Sequence, residues 1–144
     1  MNIDTNAPVF ARKEIIIHAP AEKVWELQTD IENWNRWQPD ITSAKLEGAL
    51  AASTIFRWKA KGLNIVSTLH TVIPLKQIGW TGLSLGMFAI HNWMFEARGK
   101  TTLVVTEESL SGWLTRLMIL LDPRFLEKSL ETSLNNLKFV AENK

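Results

Sequence analysis

The chain has 144 residues, a length typical of one domain that buries its own hydrophobic core. Its 16 basic and 15 acidic residues give a formal net charge of +1, which indicates neither a nucleic-acid partner nor a strongly charged ligand. The absence of cysteine excludes disulfides, thiolate metal sites and cysteine nucleophiles, and the three widely separated histidines do not indicate a metal site.

The N-terminal residues 1–14 contain no apolar stretch of the length that a signal peptide needs, so a cytoplasmic location is expected. The most apolar later run, residues 113–121, is far too short to span a bilayer, so no transmembrane segment is expected. The composition includes seven tryptophans and no tyrosine. Because indole rings fill large volumes, they are expected to crowd the interior.

The beginning of the chain predicts one strand and two short helices. The β-branched run 12–18 predicts a strand that ends just before a proline. Helical spacing of apolar residues predicts a helix from Ala21, and Asp30 is placed to cap a second short helix. Trp34 and Trp37 lie three residues apart, which places them on one face of that second helix.

Three strands are predicted next, at residues 41–47, 54–61 and 63–73. A tight turn at Lys61-Gly62 joins the last two strands into a hairpin. This turn predicts the cross-strand pairs Ala60 with Leu63, Trp58 with Ile65, and Phe56 with Ser67. One face of the hairpin is then aromatic and the other is polar.

Residues 77–110 predict three more antiparallel strands, which are joined by two glycine turns. A two-residue turn at Gly86-Met87 predicts that Trp80 faces Trp93 and that Gly82 faces His91. These residues continue the aromatic face of the preceding hairpin.

The second glycine turn, at residues 99–101, is compatible with two registers. A two-residue turn would direct Glu108 to the face that carries His91, whereas a three-residue turn with a glycine bulge would direct Glu107 there, opposite Trp93. We prefer the three-residue turn because it leaves one face of the sheet aromatic and the other largely polar.

The hydrophobic period changes to a helical one after Gly112. Residues 113–121 and 126–141 each carry an apolar stripe, and Asp122-Pro123 between them is suited to the cap and first turn of a new helix. The chain is therefore expected to end in a short helix followed by a long one that lies across the sheet.

Two segments carry a family resemblance: HAPAEKVWELQTDIENWNRWQPDI at residues 18–41 and GKTTLVVTEESLSGWL at residues 99–114. With the closing amphipathic helix, the chain resembles the SRPBCC or START-like superfamily, and within it the polyketide cyclase/dehydrase-like proteins. The resemblance implies one α+β domain over residues 1–144 with a helix-grip fold. In that fold a curved seven-stranded antiparallel sheet wraps around a long C-terminal helix, and two short helices follow the first strand.

The resemblance also implies a cavity between the sheet and the long helix. We expect its gate between that helix and the loops near Gly48 and Gly86. We expect the cavity to bind a small hydrophobic molecule, planar or lipid-like, with no cofactor and no metal. The candidate ligand-binding residues are the inward-facing ones: Phe56, Trp58, Ser67, Trp80, Gly82, His91, Trp93, Phe95 and Glu107.

His91 is the most polar point of this apolar wall, and Glu107 would lie beside it in the preferred register. The two residues are either a satisfied polar pair or the acid and base of a cofactor-free polyketide cyclase or dehydratase. The residues leave open whether the protein is an enzyme. A third possibility is a partner-binding or lipid-handling adaptor, in which exposed Leu83, Leu85 and Met94 would form the patch of a homodimer.

Overall fold

The computed structural model describes residues 1–143. The strands of one sheet are β1 (Val9–Ile17), β2 (Ile41–Leu46), β3 (Ile55–Ala60), β4 (Leu63–Ile73), β5 (Gln77–Ser84), β6 (Met87–Arg98) and β7 (Thr101–Ser111). Helix α1 (Ala21–Thr29) and a 3-10 helix (Ile31–Arg36) follow β1, while α2 (Trp113–Leu121) and α3 (Phe125–Asn143) follow β7. The predicted order of elements is confirmed.

The seven strands form one antiparallel sheet in the order β1-β7-β6-β5-β4-β3-β2. Strands β2 to β7 are sequential neighbours, while β1 pairs with the last strand, β7. Helix α3 packs along β1 and buries the stripe that its spacing predicts, namely Leu126, Leu130, Leu134, Leu137 and Ala141. The fold is therefore the α+β helix-grip architecture that the resemblance implies.

Trp34 packs the 3-10 helix against the sheet. Its ring is 2% exposed and lies 5.6 Å from the ring of Phe56 and 5.4 Å from that of Trp58, measured between centroids. Its indole N–H donates a hydrogen bond of 2.9 Å to the carbonyl of Gln28. Asp30 precedes this helix as predicted, but its carboxylate accepts from the side chain of Asn33 and caps no backbone N–H.

In the first two hairpins, the predicted registers place each side chain on the face of the sheet that it occupies in the structure. In β3 and β4 all three predicted pairs are present. Between β5 and β6 the turn lies one residue earlier than predicted, at Leu85-Gly86, so Trp80 pairs with His91 and not with Trp93. Because this change shifts the pairing by two residues, every side chain keeps its predicted face.

The preferred register of the third hairpin is wrong. Gly99 has a φ of 63°, and Arg98 pairs directly with Thr101 across a two-residue turn. His91 consequently pairs with Glu108. A register change of one residue turns every side chain of β7 to the other face, so Glu107 lies on the side of the sheet away from α3.

Helix α2 differs from α3 in how little of it is covered. Thr115 is its one buried residue, and the apolar stripe of this helix faces outward in large part. Asp122 follows the last residue of the helix, and its carboxylate accepts a hydrogen bond of 3.0 Å from the backbone N–H of Arg124, just before α3. No helix within residues 1–143 is long and apolar enough to cross a membrane.

Candidate functional site

A cavity of about 430 Å³ lies between the sheet and α3. Six of the predicted ligand-binding residues line it: Trp58, Ser67, Trp80, Gly82, His91 and Trp93. They come from four neighbouring strands, β3 to β6, and share one face because of the alternation of side chains along each strand.

Two predicted lining residues belong to the solid core. Phe56 is fully buried against Trp34, and Phe95 packs edge-on against Trp25 with 5.5 Å between ring centroids. Neither side chain reaches the cavity. They share the inner face of the sheet as predicted, but α1 and the 3-10 helix cover that part of the face.

Glu107 also lies outside the cavity, so its predicted position in the wall is wrong. Its carboxylate accepts hydrogen bonds from Arg12, at 2.9 Å, and from Asn92, at 3.0 Å, on the opposite side of the sheet. Glu108 lines the cavity in its place. Because the two-residue turn was the alternative register, Glu108 is the residue that this alternative predicts.

Gly82 leaves space in the wall of the cavity, but it does not face His91 as predicted. It pairs with Ala89, and a Cβ atom at Gly82 would lie 3.4 Å from the Ser67 hydroxyl and 3.6 Å from the Cβ of Ala89. The hydroxyl of Ser67 accepts a hydrogen bond of 3.0 Å from the indole N–H of Trp58. Because Gly82 and Ala89 have small or no side chains, the cavity keeps space between the large rings at this point of its wall.

His91 is held between two indoles and one hydroxyl. Its ring centroid lies 5.0 Å from that of Trp80 and 5.6 Å from that of Trp93. Its Nε2 atom lies 2.9 Å from the hydroxyl oxygen of Thr106, and that hydroxyl donates its proton to the carbonyl of Asn92 at 3.2 Å. Since the hydroxyl has one proton, His91 must donate through Nε2–H, which leaves Nδ1 as an acceptor.

The Nδ1 atom of His91 faces Glu108, with 3.5 Å to the carboxyl oxygen Oε2. Burial lowers the pKa of His91 to about 3. Burial likewise raises the pKa of Glu108 to about 8, against the opposing effect of the Lys61 charge. Near neutral pH the cavity thus contains a neutral carboxylic acid beside a neutral imidazole.

Helix α3 supplies a polar wall that the sequence interpretation missed. Ser129, Thr132, Ser133 and Asn136 line the cavity opposite the tryptophans. Their spacing of three or four residues places them on one helix face, next to the apolar stripe. A signal was present, because this row carries short uncharged side chains where a solvent-facing row usually carries Lys and Glu.

The charged residues of the lining mark where the cavity meets solvent. On the sheet side, Nζ of Lys61 lies 4.0 Å from Oδ2 of Asp40. Near the start of α3, Nζ of Lys128 lies 2.9 Å from Oδ2 of Asp122. Ser84 and Met87 bring the turn at Gly86 to the cavity, as expected, whereas the loop at Gly48 contributes no lining residue. Within residues 1–143, no group of three or more His, Asp or Glu side chains could hold a metal ion.

Solved structures with the same fold confirm the architecture. A hypothetical protein from Helicobacter pylori has a TM-score of 0.85 and 16% identity, with coverage of 96% of this chain and 91% of that one. The Zhui aromatase/cyclase from Streptomyces has a TM-score of 0.80 and 15% identity, with 93% coverage of each chain. A START superfamily protein from Mycobacterium smegmatis has a TM-score of 0.71 and 14% identity, with 91% and 98% coverage.

Comparison with curated protein sequences gives no match. The family model described as "Polyketide cyclase / dehydrase and lipid transport" matches residues 10–142, from β1 to the end of α3. That range includes every strand, the long helix and all of the cavity wall. The chain therefore belongs to the polyketide cyclase/dehydrase and lipid transport family.

Proposed function

We propose that the protein binds a small, neutral, largely planar hydrophobic molecule that carries a hydroxyl or carbonyl group. The observation that carries this proposal is a cavity of about 430 Å³ with indoles on one wall and uncharged polar side chains on the other. Its volume is within the range of small-molecule sites, which is roughly 300–1,000 Å³. A flat ring system fits between such walls, with its polar atoms toward α3.

The charge of the interior supports a neutral ligand. Among the described residues, the basic side chains of the lining are Lys61 and Lys128, and both lie at the mouth beside an acidic partner. Inside, Glu108 and His91 are uncharged near neutral pH. A ligand carboxylate would lose its hydration there without gaining a cation, which is costly.

Two probes with the same ring test this proposal. Titration calorimetry near pH 7 is expected to show saturable binding of 2-naphthol and binding at least about tenfold weaker for 2-naphthoate, because only the latter brings a charge inside. Trp58→Leu should weaken 2-naphthol binding, while Trp113→Leu, outside the cavity, should leave it unchanged. Equal affinity for both probes, or binding of neither, would contradict the proposal.

A second candidate function is a cyclase or dehydratase in which His91 and Glu108 move protons, and the pairing of these two groups favours it. In a dehydration, Nδ1 of His91 takes a proton from the carbon next to a carbonyl, and Glu108 protonates the departing hydroxyl. A C–H and a C–O bond break, a C=C bond forms and water leaves. The proton on Nδ1 then passes to the Glu108 carboxylate, 3.5 Å away, and restores the pair.

Kinetics with a β-hydroxyketone substrate would separate the two candidates. If the pair is catalytic, His91→Ala and Glu108→Gln should each lower kcat by about a hundredfold or more with a smaller effect on KM. Glu107→Gln, one residue away on the other face, is the matched control and should leave kcat unchanged. Absence of turnover in the wild-type protein, together with retained ligand binding, would leave the binding function alone.

A further inference from the structure

Helix α2 is apolar on nearly all sides and leaves a large part of that apolar surface exposed. Trp113, Leu117, Leu120 and Leu121 have the spacing of a single helix face, and that face is the exposed one, with 47% to 81% of each side chain accessible. The buried residue, in contrast, is the polar Thr115, whose hydroxyl donates to the carbonyl of Ser111 at 3.0 Å. Surface helices normally present polar and charged side chains to solvent.

The tip of the β5–β6 hairpin extends this apolar surface. The carbonyl of Gly86 accepts a hydrogen bond of 3.0 Å from the backbone N–H of Leu114, and Gly86 leaves the room in which the ring of Trp113 packs. Beside it, Leu83, Leu85 and Phe88 are 58%, 71% and 38% exposed. The outer face of α2 and the hairpin tip, joined by this hydrogen bond, together present seven exposed apolar side chains, here named the leucine patch. Contiguous exposed apolar surface of this kind is typical of an interaction site.

The leucine patch adjoins the cavity. Met118 from the inner side of α2, Asp122 at its end, and Ser84 and Met87 from the hairpin all line the cavity. The same two elements therefore carry the apolar surface on the outside and part of the cavity wall on the inside.

We propose that the leucine patch docks the protein on the surface of a lipid bilayer, with α2 lying in the interface and the cavity beside it. Leu85, Leu120 and Leu121 protrude, since each is more than 70% exposed. Protruding side chains enter the fluid acyl region without needing complementary holes, whereas a protein partner would have to supply them. Exposed Trp113 has the amphipathic ring that is enriched at the membrane interface.

The charges of α2 fit this arrangement. Arg116 is the charged residue of the helix, is exposed, and forms no ion pair with the rest of residues 1–143. Its side chain can extend to a lipid phosphate while its methylene groups stay near the acyl chains. With so few cations, binding is driven by apolar insertion, so zwitterionic vesicles should suffice.

A second copy of the chain is the competing occupant. A symmetric dimer through the leucine patch would bring both cavities against the partner and restrict the exchange of a hydrophobic ligand. A membrane surface instead presents the phase in which such ligands dissolve. The docking proposal does not depend on the nature of the ligand, and it can be tested on the protein without one.

Flotation with vesicles of phosphatidylcholine alone, and with added phosphatidylglycerol, tests the proposal. The wild-type protein is expected to float with both, and Leu120→Ser/Leu121→Ser should reduce the bound fraction by about tenfold. Phe139→Ser, at a 70% exposed position of α3, is the matched control and should float like the wild type. Leu85→Ser, on the hairpin, should weaken binding independently of any change in α2.

Light scattering decides between the two occupants. Monomeric wild-type protein that binds vesicles supports the proposal. Wild-type protein that does not float with either vesicle overturns it, and a dimer that the α2 double variant dissociates would then assign the leucine patch to a second copy. Binding of 2-naphthol by the double variant in solution should remain, so a failure of docking is distinct from a failure of the cavity.

Discussion

Glu107 and Glu108 are neighbours in β7 with the same side-chain exposure of 15%, yet they have different surroundings. Glu107 lies on the outer side of the sheet, where Arg12 and Asn92 donate hydrogen bonds to it. Glu108 lies on the inner side opposite a neutral imidazole, and burial raises its pKa to about 8. The two side chains thus differ in their neighbours: Glu107 has hydrogen-bond donors around it, whereas Glu108 faces the cavity and a neutral imidazole.

The two glycines of β5 extend this comparison to packing. A Cβ atom at Gly79, on the outer side, would lie 2.3 Å from the side-chain oxygen of Asn92 and 2.4 Å from Cε1 of His70, while a Cβ at Gly82, on the inner side, would have ordinary contacts of 3.4 Å or more. Gly79→Ala is therefore expected to destabilise the protein by about 2–3 kcal/mol, and Gly82→Ala by less than about 1 kcal/mol. Urea unfolding measures both, and equal losses would contradict the different packing of the two faces.

Thr106 fixes the orientation of the His91 ring on the inner face of the sheet. Its hydroxyl accepts from His91 and donates to the Asn92 carbonyl, so Thr106→Val leaves the Nε2–H of His91 without a partner. The expected cost is about 2 kcal/mol in the free energy of unfolding. In ¹⁵N NMR spectra the His91 ring should change from the pure Nε2–H tautomer to a mixture. Thr106→Ser retains the hydroxyl and is expected to retain the tautomer; if it behaves like valine, the hydroxyl is not what fixes the ring.

The pH dependence of stability reports on Glu108 and His91. Between pH 4.5 and 8 the folded protein holds a proton on Glu108 that the unfolded chain has lost, so stability falls as pH rises through this window. Between pH 3 and 6.5 the unfolded chain holds a proton on His91 that the folded protein lacks, so stability falls as pH decreases there.

These two effects cancel between pH 4.5 and 6.5, where a broad maximum of stability is expected. Above it, stability should decrease by roughly 1 kcal/mol per pH unit up to about pH 8. Glu108→Gln cannot lose a proton, so it should remove the decrease on the alkaline side and keep the one on the acid side. Denaturant unfolding at several pH values checks this, and an unchanged alkaline decrease in the variant would contradict the assignment to Glu108.

Much of the fold could be predicted because its signals are local. The alternation of apolar residues in β3 and β4, the stripe of α3 and the break at Asp122-Pro123 all lie within short windows of sequence. The resemblance then supplied the arrangement of these elements. The site depended on a finer quantity, the length of the turn at Gly99, which decides the face of every residue in β7.

Both turn lengths placed an acidic residue opposite an aromatic strand, so residue patterns could not decide between them. The preference for one aromatic face and one largely polar face was the wrong criterion. The cavity tolerates Glu108 because the carboxyl group is protonated there, and a polar residue on an inner face need not be charged. The polar wall of α3 was missed because only the apolar stripe of this helix entered the prediction.

The smallest expected effect on stability is that of replacing Glu107, the carboxylate on the outer side of the sheet. Glu107→Gln keeps an acceptor for Asn92 but removes the charge that pairs with Arg12, whose side chain is 61% exposed. Because an ion pair with so exposed a partner contributes little, the variant should lose at most about 1 kcal/mol at neutral pH, and less at high salt. Arg12→Gln should have the same effect, and the double variant should show little further loss because each single change already removes the pair. A loss that is insensitive to salt would instead trace to the hydrogen bond with Asn92. In either case ligand binding should not change, since the sheet separates Glu107 from the cavity.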